Sequence, residues 1–318
     1  MIYYNLDFEP LAIEVPSLKN SLEIKVKGNV ENPSISAENS NLYNIQNNVE
    51  YTIMFKVYNH ALPQHNSHAI ILGRTTHAYS GNRGWHFMVE GANAKNRYRF
   101  LFGPSSGGAV FVVHTLSAQV ATWETIALKI YFREAKRYAQ LFVNGVPNNE
   151  VEITGKVFET NRPDFFIGSG NVSSLGTFDG KVNNLVFVEK ALTDQEIQDF
   201  ACLQDLDPSM SYWSEILGYW PMSEGSGHEF HNKIETSSDT DFHFNPYTHS
   251  WNLIPAWNCL NPKEQELEAK KQTMYTIDIL PQIFYWLNIK TDASWKLQGK
   301  VFLTKYEKEF IGKKPLKN

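Results

Sequence analysis

Residues 49–58 alternate strictly. Tyr51, Ile53, Phe55 and Val57 fall on one face, and Thr52, Met54 and Lys56 on the other. This spacing predicts a strand with one face turned to a core. Leu128, Ile130 and Phe132 alternate in the same way, and Ala139, Leu141 and Val143 follow. Asn144-Gly145 then supplies two residues that tolerate positive φ, as a tight hairpin turn requires. Gly81, Gly84, Gly91, Gly103, Gly107 and Gly108 punctuate the region between. No helical period intervenes from about residue 22 to 188. Many short strands with glycine-rich connections predict an antiparallel sandwich and not a βαβ fold.

Residues 181–188 read as a closing strand, and a helix start follows. Thr193-Asp194-Gln195-Glu196 is a capping box, with Ile197 and Phe200 opening the apolar face. The pattern changes near residue 205. Trp213, Trp220, Trp251 and Trp257, with His228, His231, His243 and His249, mark an irregular or β-rich stretch built on aromatics. The end of the chain is helical in pattern. Asn261-Pro262-Lys263-Glu264 combines an N-cap, a first-turn proline and an acidic third position. Asp278 can cap a second helix with Pro281 in its first turn, and Ile277, Leu280, Ile283, Phe284 and Leu287 recur at helical spacing. The division expected is 1–20, 21–204, 205–261 and 262–318.

The 318 residues are 42% hydrophobic and 20% charged, enough for a sizeable core. The aromatic share of 14% is high, which suits both strands and sugar-binding surfaces. Lys and Arg number 29 against 34 Asp and Glu, a net charge of −5. That leaves no basic surplus for a phosphate backbone, so nucleic acid is not expected as a partner. No apolar run is long enough to span a bilayer. Met1-Ile2-Tyr3-Tyr4 has neither a basic nor an apolar leader region, so the chain is expected to be cytosolic or an internal piece of a longer exported polypeptide. Two cysteines, Cys202 and Cys259, make no disulfide framework. They can pair, but two buried free thiols are the ordinary expectation.

Several motifs carry a resemblance. Trp123-Glu124-Thr125-Ile126 opens one strand, and Leu141-Phe142-Val143-Asn144-Gly145 ends the next. Phe166-Ile167-Gly168, then Phe178-Asp179-Gly180-Lys181-Val182, then Ala191-Leu192-Thr193-Asp194-Gln195-Glu196-Ile197 follow in order. Together they resemble laminin-G-like domains of the concanavalin A superfamily. The resemblance implies a mainly β fold, a jelly-roll sandwich of two antiparallel sheets. It also implies a Ca²⁺ of the kind many members hold, with Asp179 and Asn183 as the residues at matching positions. The plainer reading of that pair is an Asp-Gly turn and a solvent-facing strand residue, and Asn183 stands where the family motif has an aspartate.

Leu217-Gly218-Tyr219-Trp220-Pro221-Met222-Ser223-Glu224-Gly225-Ser226-Gly227 is similar to a module that follows such domains in exported proteins of the Bacteroidetes type. Ile277-Asp278-Ile279-Leu280-Pro281, with Leu297-Gln298-Gly299-Lys300 beyond it, resembles the C-terminal end of the alkaline phosphatase and phosphodiesterase superfamily. This implies a sandwich inserted near the end of a phosphoesterase, with Ile2-Tyr3-Tyr4-Asn5 as a strand of the host domain. That superfamily's metal ligands and nucleophile have no counterpart here, so its catalysis does not transfer.

Candidate ligand-binding residues are Tyr79, Arg83, Trp85 and Tyr98, an aromatic and guanidinium set able to stack on a sugar and bond its hydroxyls. Trp85 has inward packing as its commoner use. The four histidines near residue 240 lack a metal-ligand spacing, and Glu224 lacks the second carboxylate that glycoside hydrolysis needs. The sequence thus predicts a non-catalytic recognition module, with carbohydrate or glycoconjugate as its ligand class. The alternative is a structural insert that braces an attached phosphoesterase.

Overall fold

The computed structural model describes residues 18–24, 34–37, 41–65, 67–75, 84–104, 108–158, 165–168, 176–234, 241–243, 249–255, 279–287, 289–290, 292–297 and 301. The chain divides into two compact units, Met1–Cys259 and Leu260–Asn318.

Strands in the first unit run in chain order as follows. The first eight are β1 (Leu18–Ile24), β2 (Ser34–Ala37), β3 (Tyr51–Asn59), β4 (Ala69–Thr75), β5 (Gly84–Val89), β6 (Arg97–Gly103), β7 (Val110–Ser117) and β8 (Trp123–Arg133). Next come β9 (Lys136–Val143), β10 (Val146–Pro147), β11 (Val151–Glu152), β12 (Phe165–Gly168), β13 (Gly176–Thr177) and β14 (Gly180–Val188). The last four are β15 (Ile216–Trp220), β16 (Glu229–Phe230), β17 (Phe242–His243) and β18 (His249–Pro255). The first sheet has the order β10-β9-β8-β3-β14-β1-β18, with β11 on β9 and β15 on β14. The second has the order β16-β17-β2-β12-β4-β5-β6-β7, with β13 alongside β4. Every pairing among these is antiparallel except that of β13 with β4. The two-sheet antiparallel sandwich read from the strand pattern is present.

The alternation in the sequence sets what each strand buries. Tyr51, Ile53, Phe55 and Val57 of β3 join Ile126, Leu128 and Ile130 of β8 in one core with Trp85, Phe87, Phe100 and Phe102 of the second sheet. Burying each such side chain contributes on the order of 1.5–3 kcal/mol. The hairpin between β9 and β10 turns on Asn144 (φ 51°) and Gly145 (φ 75°), the pair the sequence marks for it. The aromatic stretch after residue 205 extends the same sandwich. Trp220 on β15 is fully buried and packs edge-to-face on Phe187 and Phe242.

The outer face of the first sheet is only partly open, because helix α1 (Asp194–Cys202) lies on it. Thr193 and Glu196 form the expected capping box, and Ile197 and Phe200 are buried against Met54, Ala127, Phe142 and Val186. Lys56, on the same face, is 1% exposed. Its ammonium donates to the carbonyls of Phe200 (3.2 Å) and Ala201 (2.8 Å) and to Thr125 Oγ1 (3.2 Å). A cation at the carbonyl end of a helix meets the negative end of the helix dipole, and three acceptors offset its desolvation.

Asn183 and Asn184 mark a bulge in β14, where the register against β3 shifts. β1 pairs with β14 before this point and β15 after it. Asn184 takes φ 51°, a conformation asparagine accepts more readily than most residues.

One expectation is corrected. Cys202 is not a buried free thiol but disulfide-bonded, and no described cysteine is free. The chain's other cysteine, Cys259, lies outside the described residues.

In the second unit, helix α2 (Ile279–Trp286) carries Pro281 in its first turn, as expected. Its apolar residues face outward: Ile279, Leu280, Ile283 and Tyr285 are exposed, as are Leu287 and Ile289 beyond it. The expected helix from Asn261 and the cap at Asp278 lie outside the described residues.

Candidate functional site

Past the carbonyl end of α1 the outer face of the first sheet carries a half-exposed aromatic row among the described residues. There Tyr58 on β3 sits in register between Trp123 on β8 and Lys181 on β14, with Glu23 of β1 next in the row. Odd and even positions separate the two faces of each strand, so Tyr58, Trp123 and Lys181 share the face that Lys56 and Thr125 occupy. Tyr58 and Trp123 are half-buried, with ring centroids 5.6 Å apart and planes at 56°. The exposed His60 ring meets Tyr58 edge-on at 5.3 Å. The Lys181 ammonium lies 5.3 Å from the Tyr58 ring centroid, a cation–π distance. Gly180 lets the backbones of β14 and β3 come close here, because a Cβ there would lie 2.1 Å from the Tyr58 carbonyl oxygen. Pairing between β8 and β9 begins only at Ile126, so Trp123 stands beyond the last cross-strand neighbour on that side.

A buried polar network holds this rim from beneath. Asn59 Nδ2 donates to Tyr98 Oη (2.7 Å) and to the Gln119 carbonyl (2.9 Å). Tyr98 Oη donates to Glu124 Oε2 (2.8 Å), which also accepts from Gln119 N–H (2.7 Å). The network thus joins the residue after Tyr58 to the residue after Trp123. It also fixes the loop in which Ala121 holds φ 56°, a conformation rare for alanine. Burial raises the Glu124 carboxyl above the ordinary glutamate range, while its two donors pull the other way. The Tyr98 hydroxyl is pushed far above the usual tyrosine value by burial and by Glu124.

The sequence-predicted residues fall elsewhere. Tyr79 and Arg83 lie outside the described residues. Trp85 is 2% exposed, donates Nε1–H to the Tyr43 carbonyl (3.1 Å) and packs against Phe87, Phe100 and Phe165, so it offers no face to a ligand. Inward packing wins there because its alternating position on β5 points to the core. Tyr98 is likewise corrected: at 1% exposed it supports the rim from below and does not touch solvent. His86, next to Trp85, faces the opposite side of its sheet and is also fully buried, with neither ring nitrogen hydrogen-bonded. Burial, then Arg99, lowers its pKa to about 3.

The Ca²⁺ expectation does not fit the residues present. Asn183 is fully buried at the β14 bulge, where its amide donates to the Met222 carbonyl (3.4 Å). Asp179 is half-exposed just before β14. Four residues of extended chain separate the two by about 13 Å, too far for one ion. Among the described residues no three His, Cys, Asp or Glu side chains converge as metal ligands. His231 instead bonds Asp241 (2.8 Å), and His243 lies near Glu229 (3.2 Å). Glu224 accepts from the His231 backbone N–H (3.2 Å).

Tyr58 and Trp123 were not picked out by sequence as a ligand surface. The available signal was their parity: each lies on the face opposite to its strand's inward set, and an aromatic on the outer face calls for an explanation.

With this geometry in place, comparison with known proteins is informative. A family model described as the concanavalin A-like lectin/glucanases superfamily matches residues 29–198, more than half of the chain. The chain belongs to this superfamily. No curated protein matches the sequence. Among solved structures, this member of the superfamily is similar to a proposed carbohydrate-binding protein from Bacteroides ovatus. The TM-score is 0.52 at 13% identity, covering 77% of this chain and 62% of that one. A heptameric SAP-like pentraxin from Limulus polyphemus aligns with a TM-score of 0.43 at 12% identity, over 72% of this chain and 97% of that one. The CBM40 of a Ruminococcus gnavus sialidase, bound to α2,3-sialyllactose, aligns with a TM-score of 0.41 at 15% identity, over 58% and 98%. At these identities the likeness speaks to the fold. The chain spans just under two thirds of the Bacteroides protein. No helix among the described residues is long and apolar enough to cross a membrane.

Proposed function

We propose that this superfamily member is a non-catalytic recognition module for carbohydrate or glycoconjugate, working as part of a larger exported protein. The observation that carries the reading is the half-exposed Tyr58–Trp123 pair, set at the rim beside a lysine and an exposed histidine. Aromatic faces stack on the C–H faces of sugar rings, and nearby donors fix the hydroxyls. The buried Asn59–Tyr98–Glu124 network pre-organises the rim, which lowers the ordering cost of binding. Glu124, the carboxylate nearest in sequence to Trp123, is buried and committed to its two donors, so it is not poised as an acid or base. The disulfide at Cys202 favours an oxidising compartment, in keeping with export. The Bacteroides ovatus protein lends the same direction through its fold. The test is a glycan-array screen of the wild type beside Trp123→Ala. Binding to a glycan class that the variant loses is expected; a well-folded wild type that binds nothing on a broad array overturns the proposal.

A second reading, a brace for an attached phosphoesterase, draws on α2. A unit of this size that leaves Ile279, Leu280, Ile283 and Leu287 exposed presents an apolar surface suited to a host domain. Hydrogen exchange across residues 279–287, compared between this chain alone and this chain with an added phosphoesterase domain of that superfamily, decides it. Protection gained in the presence of that domain supports the brace, and unchanged exchange rejects it.

A further inference from the structure

We propose that His114 is an acid-sensitive clasp: its ring ties the two sheets together along the β7–β10 edge and releases them when it takes up a proton. This is a property of the scaffold, and it stands or falls apart from the recognition reading above.

The clasp begins at a bulge. Arg97 of β6 faces Ser117 of β7, but Arg99 faces Val113, so three residues of β7 stand against one of β6. Leu116 is one of the three and has no cross-strand partner in that register. His114 shares the inward face of β7 with Val112 and is 1% exposed. Its ring answers the bulge and reaches the other sheet at once. Nδ1 accepts from the Leu116 backbone N–H (3.1 Å), and Nε2 donates to the Val146 carbonyl on β10 (3.1 Å). These partners assign the tautomer, since an N–H calls for an acceptor and a carbonyl for a donor. Just beyond β10, Asn148 donates its side-chain amide to the Val113 carbonyl, so this hairpin holds β7 at two points.

A charged ring cannot keep both bonds. The added proton goes to Nδ1, the nitrogen with the available lone pair, and there it meets the Leu116 N–H donor to donor. The imidazolium is also left in a buried place without an anion. On the inner face around it the titratable groups are Tyr98 of β6 and Glu124 of β8. Those two bond each other, Asn59 and Gln119, and no ion pair joins Glu124 to His114 among the described residues. Arg97 and Arg99 of β6 lie on the opposite face, paired with Glu90. Lys136, Arg137 and Tyr138 stand at the far end of β9, and Glu150 beyond β10 is taken by Arg133 and Tyr131. Burial holds the imidazole below the ordinary histidine value, while the Val146 carbonyl pulls the other way. The folded state thus favours the neutral ring. The clasp is complete above the ordinary histidine range and is lost as pH falls through the lowered value.

The test follows amide hydrogen exchange over residues 110–117 and 143–148 at about pH 7 and about pH 5, corrected for the intrinsic exchange rate. Wild type and His114→Gln are compared. Glutamine at this position can still donate to Val146 and does not titrate. The wild type should lose about tenfold in protection at the lower pH, in both segments together, with β3 unchanged as the reference. His114→Gln should be equally protected at the two pH values. Should the variant fold poorly, the ring nitrogen chemical shifts of wild-type His114 decide: the proton should sit on Nε2 alone at neutral pH, and on both nitrogens only below the ordinary histidine range. Wild-type protection that does not change with pH overturns the proposal. So does an equal loss in His114→Gln, or a ring that carries its proton on Nδ1 at neutral pH.

Discussion

The outer face of the first sheet carries two aromatic pairs at its opposite ends, built from the same parts and finished differently. At one end Tyr58 and Trp123 lie across β3 and β8, with Lys181 over the Tyr58 ring. At the other Tyr131 and Tyr138 lie across β8 and β9, stacked at 5.7 Å, with the Arg133 guanidinium 4.5 Å from the Tyr138 ring. Helix α1 separates them, tied by Asp194 to Lys129 near the second pair and by its last carbonyls to Lys56 near the first. They differ in how far each cluster closes on itself. Arg133 is paired with Glu150, which also accepts from Tyr131 Oη, so that cluster is complete within itself. Tyr58 and Trp123 open at 56° where Tyr131 and Tyr138 stack at 27°. A cross-strand aromatic pair with a cation is therefore ambiguous by composition. Whether the cluster is closed on itself separates a surface staple from a surface that can take a ligand.

The largest effect should come from the element that keeps the two ends apart. Lys56→Met removes the ammonium from three acceptors and leaves the α1 carbonyls unpaired in a buried place. A loss of about 2–3 kcal/mol is expected in denaturant unfolding. Thr125 lies between Lys56 and Trp123 on the same face, so ligand affinity should fall as well. A variant as stable as wild type would show that α1 is not what holds the partition.

The next largest effect sharpens the comparison directly. Trp123→Ala is expected to cost at least about tenfold in glycan affinity, roughly 1.4 kcal/mol. Tyr138→Ala should leave affinity unchanged. Isothermal titration against the same glycan reads both. An equal loss at the two sites would mean that the Tyr131–Tyr138 end also binds, and that a paired cation does not close a surface.

Much of this was legible in the sequence and some of it was not. The period-2 pattern placed Tyr51, Ile53, Phe55 and Val57 in the core, and Thr193-Asp194-Gln195-Glu196 began the helix, because both signals are local. Trp85 and Tyr98 looked like ligand residues because aromatics near glycines and arginines fit a loop as well as a strand. Only strand parity across β5 and β6 shows them to point inward. The rim itself was out of reach. Tyr58, Trp123 and Lys181 lie far apart in the chain and meet only through the β8-β3-β14 order. Asn183 was misread for a related reason: a bulge that switches β14 from one partner strand to another leaves no mark beyond two adjacent asparagines.

A smaller effect tests the support under the rim. Burial raises the Glu124 carboxyl pKa, so the folded state holds its proton more tightly than the unfolded chain does. The stability that Glu124 contributes is complete below the ordinary glutamate range and is lost as pH rises through the raised value. Glu124→Gln does not titrate. The stability of wild type minus that of the variant should therefore decline with rising pH across this window, as read by urea unfolding at several pH values. A difference that grows with pH would mean the donors from Gln119 and Tyr98 outweigh burial, and that the rim is held by an ionised carboxylate.

The smallest effect belongs to the closed end. Arg133 and Glu150 are both solvent-accessible, with side chains 51% and 31% exposed, so their pairing is screened and works against side-chain entropy. Arg133→Ala should cost little in stability, less still at high salt, and nothing in affinity for a glycan bound at Trp123. Its value lies in what it uncovers. With the guanidinium gone, the Tyr138 ring gains an exposed face beside Tyr131, and the two ends differ mainly in the carboxylate of Glu150. If the pairing of the cation is what closes this end, the double variant Arg133→Ala, Glu150→Gln should begin to bind the same glycans weakly in a titration at high ligand concentration. If it stays silent, the distinction lies deeper than the charge: the 56° opening between Tyr58 and Trp123, against 27° between Tyr131 and Tyr138, would then decide which pair can admit a sugar.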